Sequence, residues 1–219
     1  MDIKINKIMP IELTYGSASY SGKTILESSS FKILEGEIVG IYGSNGCGKS
    51  TLLEKMFADN SCTAYLPQNY NLSLIPWLSV HENMKSYGVK TTTQDSYLEA
   101  FDNIFQMSDK IGDLSGGQKQ ILATYFMSTT KQPVFLMDEP FSALNLHYMS
   151  EYLSQLRIMF EKKAGIIVSH QLEHLHSVCD KVWVCDGPQF TVLGELSTNC
   201  NYIELHDKVT QIFKNEALA

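Results

Sequence analysis

The residues best equipped for chemistry are the nine that read Gly43-Ser44-Asn45-Gly46-Cys47-Gly48-Lys49-Ser50-Thr51, of the form G-x-x-x-x-G-K-[ST]. Glycines let the backbone N–H groups of such a loop turn inward on a phosphate, and the N-terminus of a following helix adds its positive end. Lys49 supplies a compact charge for β- and γ-phosphates, and the Ser50 hydroxyl is the expected Mg²⁺ ligand. The flanks suit the motif. Glu37 to Tyr42 reads as a buried strand, and Leu52, Leu53, Met56 and Phe57 recur at helical spacing. The stretch predicts a bound nucleotide.

A second group of polar residues sits at the ends of apolar runs. Val134-Phe135-Leu136-Met137 leads into Asp138-Glu139, and acids at the end of a buried strand are costly unless they have work to do. Asp138 fits a Mg²⁺-holding role, and Glu139 is placed to polarise an attacking water. Gly165 to Ser169 likewise ends in His170, which can donate to a γ-phosphate. Gln68 closes the short strand Ala64-Tyr65-Leu66, where it either faces the ligand crevice of an open α/β sheet or is a solvated loop residue. Ser115-Gly116-Gly117-Gln118 opens a helical pattern at Ile121, Leu122, Tyr125 and Phe126. This start is either an ordinary cap or a second anion-binding terminus. One nucleotide does not need two such termini, so the second would serve another molecule's nucleotide. Tyr20 is a candidate purine-stacking ring, with Tyr15 its rival. His170 to His174 also matches the H-x-x-E-H zinc-peptidase pattern, without an evident third ligand downstream.

The elements that must position these groups alternate strands and helices, which predicts an α/β fold. Residues 1–36 suggest short antiparallel strands at Ile11 to Leu13 and Phe31 to Leu34, with Lys23 to Ser30 a polar connection. Within 70–112, Tyr97, Leu98, Phe101, Ile104 and Phe105 give the period of an amphipathic helix, expected as the core of a small helical unit. Tyr70 to Trp77 is a candidate docking surface. Met149 to Met159 predicts a further helix, and Lys181 to Cys185, a Gly187-Pro188 turn and Phe190 to Val192 predict a closing hairpin. At most one amphipathic helix follows residue 200.

Composition narrows the partners. A net charge of −7, with no block of Lys or Arg, argues against direct nucleic-acid binding. No apolar stretch approaches the roughly 18 to 20 residues of a bilayer span, and no signal segment is visible, so a cytoplasmic location is expected. The five cysteines show no C-x-x-C spacing and are expected as reduced thiols.

Taken together, the motifs resemble the nucleotide-binding subunit of the ATP-binding cassette (ABC) superfamily over nearly the whole chain. The Walker A loop at 43–51, the signature Leu114-Ser115-Gly116-Gly117-Gln118, the Walker B end Asp138-Glu139 and the switch histidine His170 occur in that family's order. The resemblance implies that Gln68 is the Q-loop glutamine and a Mg²⁺ contact, that Ser142-Ala143-Leu144-Asn145 is the D-loop, and that Tyr20 stacks on adenine. It implies a P-loop NTPase core sheet with an N-terminal antiparallel β part and a small helical signature subdomain. One domain would span 1–219, with a RecA-like core at about 1–69 and 131–219 and a helical subdomain at about 70–130. It further implies ATP and Mg²⁺ as ligands, Glu139 as base, and head-to-tail pairing with a second ABC subunit. The chain would then be the ATPase of a transporter, on the cytoplasmic face of a membrane beside a separate transmembrane permease. The alternative is a non-transport ABC ATPase in nucleic-acid or assembly processes. Three departures stand out: Asn145 where the D-loop usually ends in Asp, only eighteen residues between Lys49 and Gln68, and Ile121 to Phe126 where relatives are Arg- and Ala-rich. The second implies that the antiparallel sheet usually inserted there is trimmed.

Overall fold

Six strands form one twisted sheet in a computed structural model that describes residues 10–89, 96–101, 104–186 and 190–216. In chain order they are β5 (Ile38–Gly43), β6 (Thr63–Leu66), β7 (Val134–Asp138), β8 (Ala164–Val168), β9 (Lys181–Asp186) and β10 (Thr191–Ser197). Across the sheet the order is β10-β9-β5-β8-β7-β6, parallel except for the β9–β10 hairpin. Every residue of β7 and β8 is buried, as parallel strands covered on both faces require.

Strand alternation divides the core in two. Val134, Leu136, Ile166 and Val168 face one cluster, with Leu52, Leu53 and Met56 of helix α1 (Lys49–Asp59). Leu13, Leu26 and Ile33 close it from an N-terminal antiparallel part. There β1 (Ile11–Tyr15) pairs with β4 (Ser29–Ile33), and β2 (Ala18–Tyr20) pairs with β3 (Lys23–Leu26). Phe135, Met137 and Ile167 face the other cluster. It holds residues of α4 (Gly116–Ser128), α5 (Leu146–Phe160), α6 (Leu172–Val178) and the C-terminal α7 (Tyr202–Glu216).

Some expectations change. The polar connection at Lys23 to Ser30 is mostly strand: Ser21 and Gly22 turn at positive φ, and Leu26 anchors the return strand in the core. Phe57 is 48% exposed and lies against Tyr65 rather than inside. No single helix covers 97–105. Helix α3 is Ser96–Ala100, and Phe101 just beyond it donates its N–H to Leu98 O, an i→i+3 bond. Tyr97 and Phe101 are nonetheless buried, as core residues. Helix α2 (Val80–Ser86) was not expected, although Ser79 and Glu82 form a reciprocal capping box at its start. The hairpin of β9 and β10 forms as expected, while the Gly187-Pro188 turn lies outside the described residues.

Gly165 in β8 is fixed by close packing. A Cβ on Gly165 would stand 2.4 Å from Cε1 of Phe160, whose ring is itself buried against Phe135. Gly165→Ala is therefore expected to lower stability by about 1–3 kcal/mol, read as a drop in the urea midpoint at unchanged slope.

Candidate functional site

The turn from β5 into α1 wraps around a cleft of about 280 Å³ lined by Asn45, Gly46, Gly48, Lys49, Ser50 and Thr51, with Gln68, Asp138 and Glu139 opposite. Gly48 is the N-cap of α1 at φ 97°, and a Cβ there would press on Ile25 at 3.0 Å, so backbone conformation and space both select glycine. No acid occupies the first turn of α1, so the positive end of the helix is not neutralised by a side chain of its own. Lys49 is 8% exposed, and its Nζ donates to the carbonyls of Gly43 (3.0 Å) and Ser44 (2.7 Å). These bonds hold the ammonium over the loop, where a phosphate would meet it. The Ser44 hydroxyl donates to Asp186, and Cys47 is buried beneath the loop.

Sheet register carries the acids to the same cleft. Asp138 pairs with Val168 at the ends of β7 and β8. The Ser50 hydroxyl hydrogen-bonds the Asp138 carboxylate, while Asp138 Oδ1 is buried with no hydrogen-bond partner among the described residues. An orphaned carboxylate oxygen beside a hydroxyl is what a hard cation would complete, so these two residues fit Mg²⁺. Burial pushes the Asp138 carboxyl above its ordinary value; the Ser50 hydrogen bond opposes the shift, and the neighbouring charge of Glu139 adds to it.

Glu139 follows in the left-handed region, at φ 49°, with its N–H donating to Val168 O at 2.9 Å. The bend turns its side chain across to the next strand end, a conformation that survives only where the surroundings hold it. Its Oε1 accepts from His170 N–H at 2.9 Å, and its Oε2 accepts from the Ser169 hydroxyl at 3.2 Å and lies 2.9 Å from His170 Nδ1. His170 itself remains half exposed. It precedes α6 and so does not share a helix with His174, as the zinc-peptidase pattern requires.

Two groups of expected site residues lie away from the cleft. Tyr20 ends β2 at the tip of its hairpin, 75% exposed, and the wall beside the loop is formed by Ile25 instead. Ser115 caps α4: its Oγ accepts from Gln118 N–H at 3.3 Å, and its own N–H donates to Gln118 Oε1 at 2.7 Å. Gln118 also donates to Ile104 O, so both ends of its amide are engaged within the chain. Gly116 and Gly117 pack against the turn 142–145, with a Cβ on Gly117 only 3.1 Å from Ala143 O. Asn145 caps α5 by accepting from Tyr148 N–H, a bond that Asn makes as well as Asp. Ser169 and Asp186 were missed; the only signal for Ser169 was its place beside His170.

A family model described as ABC transporter matches residues 26–64 and 54–142. The spermidine/putrescine import ATP-binding protein PotA of Mycoplasma mycoides is 29% identical, and the match covers 84% of this chain and 61% of that protein. The aliphatic sulfonates import ATP-binding protein SsuB 1 of Shouchella clausii is 28% identical, with 82% and 78% covered. Among solved structures, the archaeal ribosome recycling factor aABCE1 in complex with aP1 shares the fold at a TM-score of 0.75 and 20% identity, covering 93% of this chain and 43% of that one. The chain thus spans about three fifths of PotA's length.

The raised Asp138 carboxyl gives a pH test. The folded chain keeps this proton to higher pH than the unfolded chain does, so its contribution to stability is full below the unfolded pKa and is lost as pH rises through the folded one. Asp138→Asn, which does not ionise, is expected to unfold at higher urea than the parent at neutral pH without Mg²⁺. The gap should close below about pH 4, and Mg²⁺ should stabilise only the parent.

Proposed function

This chain belongs to the ABC transporter family as an ATP-binding domain, and from that premise we propose that it is the ATPase subunit of a transporter. Two copies, or one copy and another ABC subunit, close head to tail on two ATP and drive a separate transmembrane permease from the cytoplasmic face. One observation supports this above the rest: the two helix starts suited to phosphate, at Gly48 and at Ser115, lie in different places on one chain, and only the first belongs to the cleft. A second chain brings the other start to the open side of the cleft. Among the described residues no helix is long and apolar enough to cross a membrane.

In this reading Tyr20 offers its exposed ring to adenine, the N–H groups of 43–51 hold the phosphates, and Lys49 neutralises charge at the β- and γ-phosphates. Ser50 and Asp138 would hold Mg²⁺, and Gln68 lines the same cleft. When bound, Mg²⁺ neutralises charge shared between the β- and γ-oxygens. Glu139 accepts a proton from the attacking water, its carboxylate fixed by Ser169 and the His170 backbone, and the half-exposed His170 ring contacts the γ-phosphate. Ser115, Gly116, Gly117 and Gln118 form the half-site presented to the partner's ATP, Gln118 acting through its hold on Ser115. The RecA-like core takes in about 1–69 and 131–219, and the helical subdomain about 70–130. The likeness to the ribosome recycling factor is one of fold and does not favour a non-transport role.

Glu139→Gln is expected to bind ATP, to hydrolyse it at least about a hundredfold more slowly, and to dimerise in ATP. Full turnover would remove Glu139 from the base role. Mixing a Ser115→Arg chain with a Lys49→Ala chain leaves one intact composite site. ATP-dependent association of that pair, followed by size-exclusion chromatography with light scattering, is the expected result; no association would contradict the two-chain site.

A further inference from the structure

Outside the nucleotide cleft, one buried polar cluster has no part in the chemistry described so far. Gln120 and Thr124 stand one turn apart on the same face of α4 and are 1% and 0% exposed. Both meet the phenol of Tyr152 on α5, itself fully buried. Thr124 Oγ1 and the Tyr152 hydroxyl are 2.7 Å apart, and the Gln120 side chain also hydrogen-bonds the phenol. Because Gln120 Oε1 has no partner, its amide NH₂ is the group that faces the tyrosine. Around them lie Ile121, Leu122, Tyr125, Phe126 and Leu156, all but fully buried. Apolar residues of similar shape could fill this space without an orphaned oxygen, so packing alone does not explain three polar side chains here.

What the cluster joins gives it a use. Helix α4 begins at Ser115, and α5 begins at Asn145, the end of the turn that leaves Glu139. At their starts the two segments touch through Gly117 and Ala143. Further along, the Tyr152 hydroxyl ties them again, and its ring meets Phe141 edge to face at 6.2 Å, two residues beyond Glu139. One point of attachment leaves a pivot, whereas two fix an orientation. We propose that Tyr152 is a positioning residue for the half-site this chain presents to its partner, its phenol bolting the Ser115 helix to the Asn145 helix. This rests on the two-chain reading of the site. Without the bolt, α4 pivots on the Gly117–Ala143 contact, and Ser115 and Gly117 no longer arrive at the partner's ATP in register with the turn 142–145.

The test uses the single-site pair, in which the Lys49→Ala chain contributes Ser115 and the Ser115→Arg chain contributes Lys49. Tyr152→Phe keeps the ring and its Phe141 contact and removes only the hydroxyl. Placed in the chain that contributes Ser115, it is expected to weaken ATP-dependent association and hydrolysis by about tenfold; placed in the other chain, by less than about twofold. Equal losses in both placements, or no loss in either, overturn the proposal. Adding Gln120→Leu and Thr124→Val to Tyr152→Phe removes the orphaned groups. The urea midpoint should recover while association stays weak; recovery of association would reduce Tyr152 to a stability role and overturn the proposal. If the pair with native Tyr152 fails to associate in ATP, the two-chain reading falls first and the Tyr152 role falls with it.

Discussion

The grip of one strand end on the next constrains this molecule most. Glu139 leaves β7 at φ 49° and is held across the gap to β8 by Val168 O, the Ser169 hydroxyl and the His170 N–H. That grip is possible because β7 and β8 run parallel in register, Asp138 beside Val168, with apolar cover on both faces. Shift the register by one residue and Asp138 and Glu139 would exchange faces. The order of the strands thus decides that one acid points to Ser50 and the other to His170. The two carboxylates are neighbours in sequence with separate environments, one left with an unpartnered oxygen beside Ser50 and one amply bonded, which suits one to a cation and the other to a proton.

The phosphate loop is built on a different principle. Its Lys49 ammonium is held by the loop's own carbonyls in a nearly buried position, so the charge is placed before a ligand arrives and little side-chain freedom remains to be lost on binding. The Ser115 start is organised in the same way, with its capping box and the Gln118 bond to Ile104 fixing the first turn of α4. Each half of the proposed composite site is thus held by hydrogen bonds within its own chain.

How much of this was legible in the sequence depended on how local the determinant was. The loop at 43–51, the acids after Val134 to Met137 and the Ser115 cap are written in adjacent residues, and each lies at the junction of elements that its pattern predicts. The start of α2 is just as local, written in Ser79 and Glu82, but its seven residues carry a weaker apolar period than 97–105 does. That period marked core residues correctly but not their conformation, since burial of Tyr97 and Phe101 is achieved by turns as well as by a helix. Lys23 to Leu26 escaped because a three-residue partner strand carries too little alternation to be seen. Ile25, Ser169 and Asp186 come to the loop only through sheet register and crossovers, and pairings of that range leave no local trace. Tyr152 is the extreme case: a tyrosine within an apolar helical stripe, whose hydroxyl has meaning only once α4 lies against it.

The central claim is that the loop at 43–51 is half a site, completed by Ser115 of a second chain. The most direct measurement is the distance between spin labels on two separately labelled chains, one at Lys23 on the β2–β3 hairpin and one at Asp113 beside the signature start, in the Glu139→Gln background. The account predicts a short interchain distance that appears with Mg²⁺ and ATP and vanishes in ADP. A distribution that ATP leaves unchanged, in protein that binds the nucleotide, would contradict it.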